Sequence, residues 1–180
     1  MSLKLALLGL LAERPMSGYE LSKRFAGPSN VWTAQHSQIY PELARLKEAG
    51  FIKQGQVGPR GRKTYSITPS GHQQVRRWLM ETEPDRTVRD EAFLRVFFLW
   101  LLEPKEARSY LEGEREHHRA RLEQYLDTAD GFSPRTPAQR YDRIALEAGI
   151  RHERALAEWA EWALTQVRKS PRRTSTRRTP

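Results

Sequence analysis

Apolar residues return every three or four positions along most of this chain, and turn residues stand where that period fails. Leu3, Leu7, Leu10 and Leu11 give a first helix a strongly apolar face, which Pro15 ends. Ser17 followed by Glu20 three residues later is a capping box, so a second helix, SGYELSKRF, starts there and stops at Gly27–Pro28. From Ser29 to Ser37 the chain is polar and turn-like, with Trp32 as its one large anchor. Ser37 then predicts the N-cap of a third helix, with Pro41 in or near the first turn, where a missing N–H costs least. Ile39, Leu43 and Leu46 form its inward stripe and leave Gln38, Tyr40, Arg45 and Lys47 nearer the outward face. Gly50 suits a left-handed C-terminal cap.

The period then changes. Phe51–Val57 reads as a short strand, Gly58–Lys63 as a turn carrying Arg60 and Arg62, and Thr64–Thr68 as a second strand. Thr68 followed by Pro69 caps a fourth helix, with Val75, Trp78 and Leu79 on its apolar side. Helix, strand, basic turn and strand in this order make a winged helix. Its third helix is shaped for a DNA major groove, and its basic turn reaches a phosphate or the minor groove.

Glu83–Pro84–Asp85 breaks the pattern and suggests a boundary. The expected organisation is a winged-helix domain over 1–83, a helical dimerisation domain over 84–169 and a disordered basic tail over 170–180. Asp90–Leu102 is apolar almost all round, with Phe93, Val96, Phe97 and Trp100 on one side and Leu94, Phe98, Leu101 and Leu102 on the other. Read as one helix, it must be buried on several sides, and a partner subunit is the natural cover. Two long helices follow, from Pro104 to about Asp130 and from Pro137 to about Val167, joined by GFSPR as an antiparallel hairpin. Ala107, Leu111, Leu122, Tyr125 and Ala129 are the apolar positions of the first, and Tyr141, Ile144, Ala148, Ala155, Trp159 and Trp162 recur at three- and four-residue steps in the second, stripes that suit helix–helix pairing or dimerisation. The fold class is mainly α with a small β-wing.

Charge sharpens this picture. The 180 residues carry a formal net charge of +9, which points to a polyanionic partner. Residues 1–83 hold a net +6, residues 84–169 a net −1, and residues 170–180 add four arginines and no acid. The excess therefore lies on the helix–wing segment and on the tail. Without cysteine, disulfide scaffolds and thiolate metal sites are excluded. The apolar run near the start is too short and lacks a small-residue cleavage site, and Val96–Leu102 is far shorter than the roughly 20 residues a span requires. The expectation is a soluble cytoplasmic protein without a membrane segment.

The segments LALLGLLAERPMSGYEL, SQIYPELARLKEAGFI and GRKTYSITPSGHQQVRRWL, in this order over residues 3–83, resemble the PadR family of transcriptional regulators. The part after residue 84 is similar to the helical C-terminal domain of its longer members. The resemblance implies a homodimeric winged-helix protein, usually a repressor, which a small molecule releases in some members. It places DNA contacts on Ser37, Gln38, Tyr40 and Arg45, with Pro41 shaping the helix start, and wing contacts on Arg60, Arg62 and Lys63. Thr33, Gln35 and His36 would touch the backbone. Gln can pair bidentately with adenine, while Ser and Tyr hydroxyls more often hold phosphates. Against this, Tyr40 could instead pack on its own domain, and Arg45 could pair with Glu42 or Glu48. Two recognition helices of a dimer would lie about 34–36 Å apart along a pseudo-palindromic operator of double-stranded DNA.

Other chemistry finds little support. Glu114, His117 and His118 hint at a metal site, yet adjacent histidines cannot face the same way, and a solvated charged face accounts for them. GPRGRK lacks phosphate-loop spacing and nothing resembles a nucleophile elbow, so neither a cofactor nor catalysis is expected. Phe93, Phe97 and Trp100, with Trp159 and Trp162, either line a pocket for a small planar aromatic effector or are simply core. Two alternatives to a specific regulator stand beside it: a winged-helix protein-interaction module without specific DNA binding, and a nonspecific nucleic-acid binder dominated by its tail.

Overall fold

The computed structural model describes residues 3–25, 35–57, 63–86 and 90–167. The predicted tail, the wing residues Arg60 and Arg62, and Trp32 and Thr33 lie outside the described residues. The chain divides into two compact units, Met1–Thr87 and Val88–Pro180.

In the first unit, helix α1 (Leu3–Glu13) leads into a two-residue strand, β1 (Met16–Ser17), and helix α2 (Gly18–Phe25). Helix α3 (His36–Glu48), strands β2 (Ile52–Val57) and β3 (Lys63–Ile67), and helix α4 (Pro69–Glu81) complete it. Strand β1 is an addition to the predicted wing. The sheet is antiparallel in the order β1–β3–β2, with Met16 opposite Tyr65 and Ile52 opposite Ile67. Two residues are too short for an alternating pattern to announce a strand. The expected Ser17–Glu20 cap is present beside it: the Ser17 amide donates to Glu20 Oε2 at 2.8 Å, and the Glu20 amide to Ser17 Oγ at 3.3 Å.

One core fills this unit. Leu7, Leu8 and Leu11 of α1, Leu21 and Phe25 of α2, and Ile39, Leu43 and Leu46 of α3 join Ile52 and Tyr65 of the sheet. The inward stripe of α3 is the predicted one, but its start is not. Gln35, not Ser37, is the N-cap: Gln38 Oε1 accepts from the Gln35 amide at 3.1 Å. Pro41 consequently falls in the second turn, inside the helix, instead of at its first positions. A glutamine pair closes the same reciprocal cap that Ser and Glu usually do, a weaker signal in sequence.

The C-terminus of α3 is closed by a Schellman turn. Gly50 has φ of 72°, its amide donates to the Lys47 carbonyl, and the Phe51 amide donates to that of Leu46. Thr68 then ties this turn to α4: its hydroxyl donates to the Gly50 carbonyl at 2.8 Å and accepts from the Gly71 amide at 3.2 Å. A Cβ on Gly71 would stand 2.3 Å from the Phe51 carbonyl oxygen, so α4 can approach this closely only with glycine there.

The second unit begins with helix α5 (Glu91–Val96) and a single 3-10 turn, Leu99–Leu101. The predicted single helix over Asp90–Leu102 is therefore broken near Phe97–Phe98: an all-apolar run calls for burial but does not by itself fix an unbroken helix. Helices α6 (Pro104–Ala129) and α7 (Pro137–Gln166) form the hairpin. Gly131, with φ of 68°, ends the first, and Thr136 Oγ1 caps the second by accepting from the Gln139 amide. The buried face of α6 includes Ala107, Leu111 and Tyr125 as expected. Most of the apolar stripe marked on α7 is not what α6 covers. Leu146, Ile150, Ala157, Ala160, Ala163 and Leu164 are buried, while Tyr141, Ile144 and Trp162 are exposed. The helix carries two apolar stripes, and α6 covers the one built of smaller residues.

Candidate nucleic-acid interface

Helix α3 shows the surface opposite its core stripe to solvent: Ser37, Gln38, Pro41, Ala44, Arg45 and Lys47 are exposed. These positions recur at three and four residues, the spacing of one helix face, so a major groove would meet them together. Proline at position 41 supplies no N–H, which leaves the Ser37 carbonyl without its helical donor. The Gln38 side chain is engaged through Oε1 with the Gln35 amide. Its amide nitrogen remains a donor on the exposed side of the helix start.

Arg45 reaches Glu42 at 3.3 Å with its side chain 76% exposed, so this pair contributes little and yields readily to a phosphate. Of the two partners open to it in sequence, the structure selects Glu42. Tyr40 is half-exposed, and its ring lies on the backbone of Gly18, where a Cβ would stand 2.6 Å from Cε1. Packing on its own domain, open as an alternative in sequence, thus describes one side of this ring. Tyr65 lies near it, and burial, followed by the Tyr40 phenol, pushes the Tyr65 hydroxyl's pKa up. Lys63 is exposed at the first position of β3, opposite Val57. The structure thus brings Ser37, Gln38, Pro41 and Arg45 onto one face, with Tyr40 at its edge against α2. Sequence reasoning gave Gln35 no structural part, although a capping box spelled Gln-x-x-Gln was legible there.

The aromatic set in the second unit is not one pocket. Phe93 stacks on Trp159 with ring centroids 4.9 Å apart, whereas Phe97 and Trp100 are 74% and 77% exposed and Trp162 is 60% exposed. The 3-10 turn after α5 takes Trp100 out of the helix that carries Phe93, and Trp162 lies on a part of α7 that α6 does not cover.

His118 also departs from expectation. It is not on a solvated face: its Nδ1 meets Glu153 Oε2 at 2.7 Å, and Glu153 is buried. Arg121 Nε donates to the other Glu153 oxygen at 2.8 Å, and Arg121 Nη2 donates to the Tyr125 hydroxyl at 3.0 Å. Burial works to raise the Glu153 pKa, but hydrogen bonds from Arg121 and His118 outweigh it and hold the carboxyl below its ordinary value. Among the described residues no cluster of three His, Asp or Glu side chains could hold a metal ion.

Comparison with known proteins agrees with the two-unit organisation. Residues 7–77 match the transcriptional regulator PadR-like family, and residues 88–168 match the virulence activator alpha C-term family. The negative transcriptional regulator PadR of Bacillus subtilis is 32% identical over 179 residues, covering 93% of this chain and 98% of that protein. The crystal structure of Bacillus subtilis PadR in complex with operator DNA superposes with a TM-score of 0.84 at 29% identity, covering 92% of this chain and 99% of that one. The same protein in complex with p-coumaric acid gives a TM-score of 0.79 at 31% identity, covering 92% and 98%.

Proposed function

This chain belongs to the PadR-like family of transcriptional regulators, and from that membership we propose that it is a homodimeric, cytoplasmic repressor of a pseudo-palindromic operator. The exposed face of α3 carries the reading: Ser37, Gln38, Pro41 and Arg45 stand together over a rigid apolar core, in a segment with net charge +6. Gln38 would read base edges, Tyr40 and Ser37 would hold phosphates, and Arg60, Arg62 and Lys63 would follow the backbone from the wing. A protein-docking wing would have no need of that charge.

Exposed Phe97, Trp100 and Trp162 favour a second copy as the cover of the C-terminal unit. Phe93, stacked on Trp159, is the member of the predicted effector set that retains an apolar neighbour. A planar aromatic acid is the effector class that the p-coumaric acid complex of the Bacillus subtilis relative favours for this chain.

Fluorescence anisotropy against the DNA upstream of its own gene tests the reading, with a scrambled duplex of equal length in parallel at two salt concentrations. Binding of the native duplex at about 10⁻⁸ M or tighter, at least about 10³-fold above the scrambled one, is expected. Equal and steeply salt-sensitive binding of both duplexes would instead identify a nonspecific binder.

A further inference from the structure

Helix α2 shares the core of the first unit with α3 through Leu21 and Phe25, and its other side faces solvent. On that side Tyr19 and Lys23 stand one turn apart. The Lys23 ammonium lies over the Tyr19 ring, 5.0 Å from its centroid. Tyr19 is 58% exposed, and Lys23 is exposed as well. Among the described residues, neither the Tyr19 hydroxyl nor the Lys23 ammonium has a hydrogen-bond or ion-pair partner.

The charges beside this pair are committed elsewhere. Arg24 reaches Glu13 of α1 at 3.1 Å. Glu20 accepts from the Ser17 amide and hydroxyl through Oε2, and its Oε1 lies 3.4 Å from Arg14. Tyr40, at the edge of the α3 face, lies on Gly18, the residue before Tyr19, so the exposed side of α2 continues that face. A lone exposed tyrosine needs no explanation. A phenol donor that carries an ammonium over its own ring, next to a face shaped for DNA, has the chemistry of a phosphodiester site. The hydroxyl supplies a hydrogen bond and the lysine a counter-charge. The contact between them also restricts the lysine, so less side-chain freedom is lost on binding. Where one helix enters a major groove, the helix before it crosses the backbone.

We propose that Tyr19 and Lys23 of α2 clamp the sugar–phosphate backbone of DNA beside the groove that α3 enters. Tyr19 donates to a phosphate oxygen, and Lys23 neutralises one phosphate charge. The clamp rests on the DNA-binding reading of α3 and extends that interface to a second helix. It meets the backbone alone and reads no base, so it acts alike on every duplex.

The test is fluorescence anisotropy of the full chain with the upstream duplex and the scrambled one over a salt series, for wild type, Lys23→Gln, Tyr19→Phe and Arg24→Gln. Lys23→Gln is expected to weaken binding of both duplexes and to lower the slope of log K against log salt by about one. Tyr19→Phe keeps the ring under its lysine. It should lose about ten-fold in affinity for both duplexes at an unchanged slope, the worth of one hydrogen bond to a charged oxygen. Arg24→Gln removes the same charge one residue along and should keep the wild-type slope. Both clamp side chains are exposed, so Lys23→Gln and Tyr19→Phe should keep the wild-type thermal midpoint. A wild-type slope in Lys23→Gln, an equal drop in Arg24→Gln, or wild-type affinity in Tyr19→Phe would each overturn the proposal. If wild type still discriminates the two duplexes in those cases, the reading of α3 stands and the clamp alone falls. If wild type binds both duplexes equally and the Lys23→Gln drop persists, the clamp stands and the specific-operator reading falls.

Discussion

The two units of this protein hold themselves together in different ways. In the first, eleven buried residues from three helices and the sheet form one continuous apolar cluster. In the second, the hairpin has two separate clusters, Leu111 with Ala163 and Leu164, and Tyr125 with Leu146 and Ile150. Between them along both helices sits the network of His118, Glu153 and Arg121. Apolar packing of many elements fixes a unique arrangement, whereas two helices with mostly Ala and Leu contacts could slide by a turn. A buried carboxylate held by two donors on the facing helix is satisfied in one register only. The first unit is therefore specified by shape and the hairpin by polar pairing.

Matched truncations would break this contrast most severely if it were wrong. Leu43→Ala opens a cavity in the larger core and should cost about 4 kcal/mol, whereas Leu111→Ala, in a cluster with fewer walls to hold the void open, should cost nearer 2 kcal/mol. Chemical denaturation of both variants measures the difference. Equal losses would mean that the small clusters are as rigidly packed as the large one.

Glu153→Ala probes the other side. It leaves Arg121 and His118 without their shared acceptor, and a loss of about 3 kcal/mol is expected. Joint replacement of Glu153, His118 and Arg121 by Leu, Leu and Met should recover most of it, because no buried charge is then left unpaired. The same network sets a pH dependence. The folded carboxyl is depressed below the 4.5 of its ordinary state, so its contribution is complete above that pH and is lost as pH falls further, through the folded value. Thermal midpoints across that acid range should drop in wild type and flatten in Glu153→Gln.

How far the sequence anticipated each unit follows from the same contrast. The core stripe of α3, the Gly50 turn, the Thr68 cap and both long helices were legible, since each rests on local spacing or a turn residue with one physical use. Three features were not. Strand β1 is created by its partner Tyr65 across the sheet, not by its own two residues. The stripe that α7 buries against α6 was not singled out, because large residues such as Trp162 and Tyr141 outweigh alanines in any apolar pattern, although alanines let helices approach. His118 was set aside as solvated because its partner Glu153 is 35 residues away. On α3 the exposed stripe was readable, and the Gln35–Gln38 cap was spelled in the sequence too, but Ser37, a stronger capping residue type, stood in its place.

Those misplaced aromatics sharpen the comparison next. If the hairpin depends on a second copy to cover what its own helices leave bare, Trp100→Ser should weaken dimerisation by about 2 kcal/mol, the cost of losing a large aromatic anchor. Phe97→Ser should act in the same direction. Sedimentation equilibrium over a concentration series reads the shift. An unchanged association constant in both variants would place the dimer contact on another face, with the Tyr141–Ile144 side of α7 next in line.

The smallest expected effect on stability falls where the largest effect on function is proposed. Arg45 is exposed and its pair with Glu42 is worth less than about 0.5 kcal/mol, so Arg45→Gln should leave the unfolding curve of the first unit almost unmoved. Its operator affinity should nevertheless fall, and the slope of log K against log salt should drop by about one if the guanidinium replaces a single counterion. Lys47 is exposed on the same helix and gives the control for charge alone. If Lys47→Gln lowers slope and affinity as much as Arg45→Gln does, the face acts as a diffuse positive surface. If only Arg45→Gln does so, this residue meets a particular phosphate, and the rigid core beneath α3 is what holds it there.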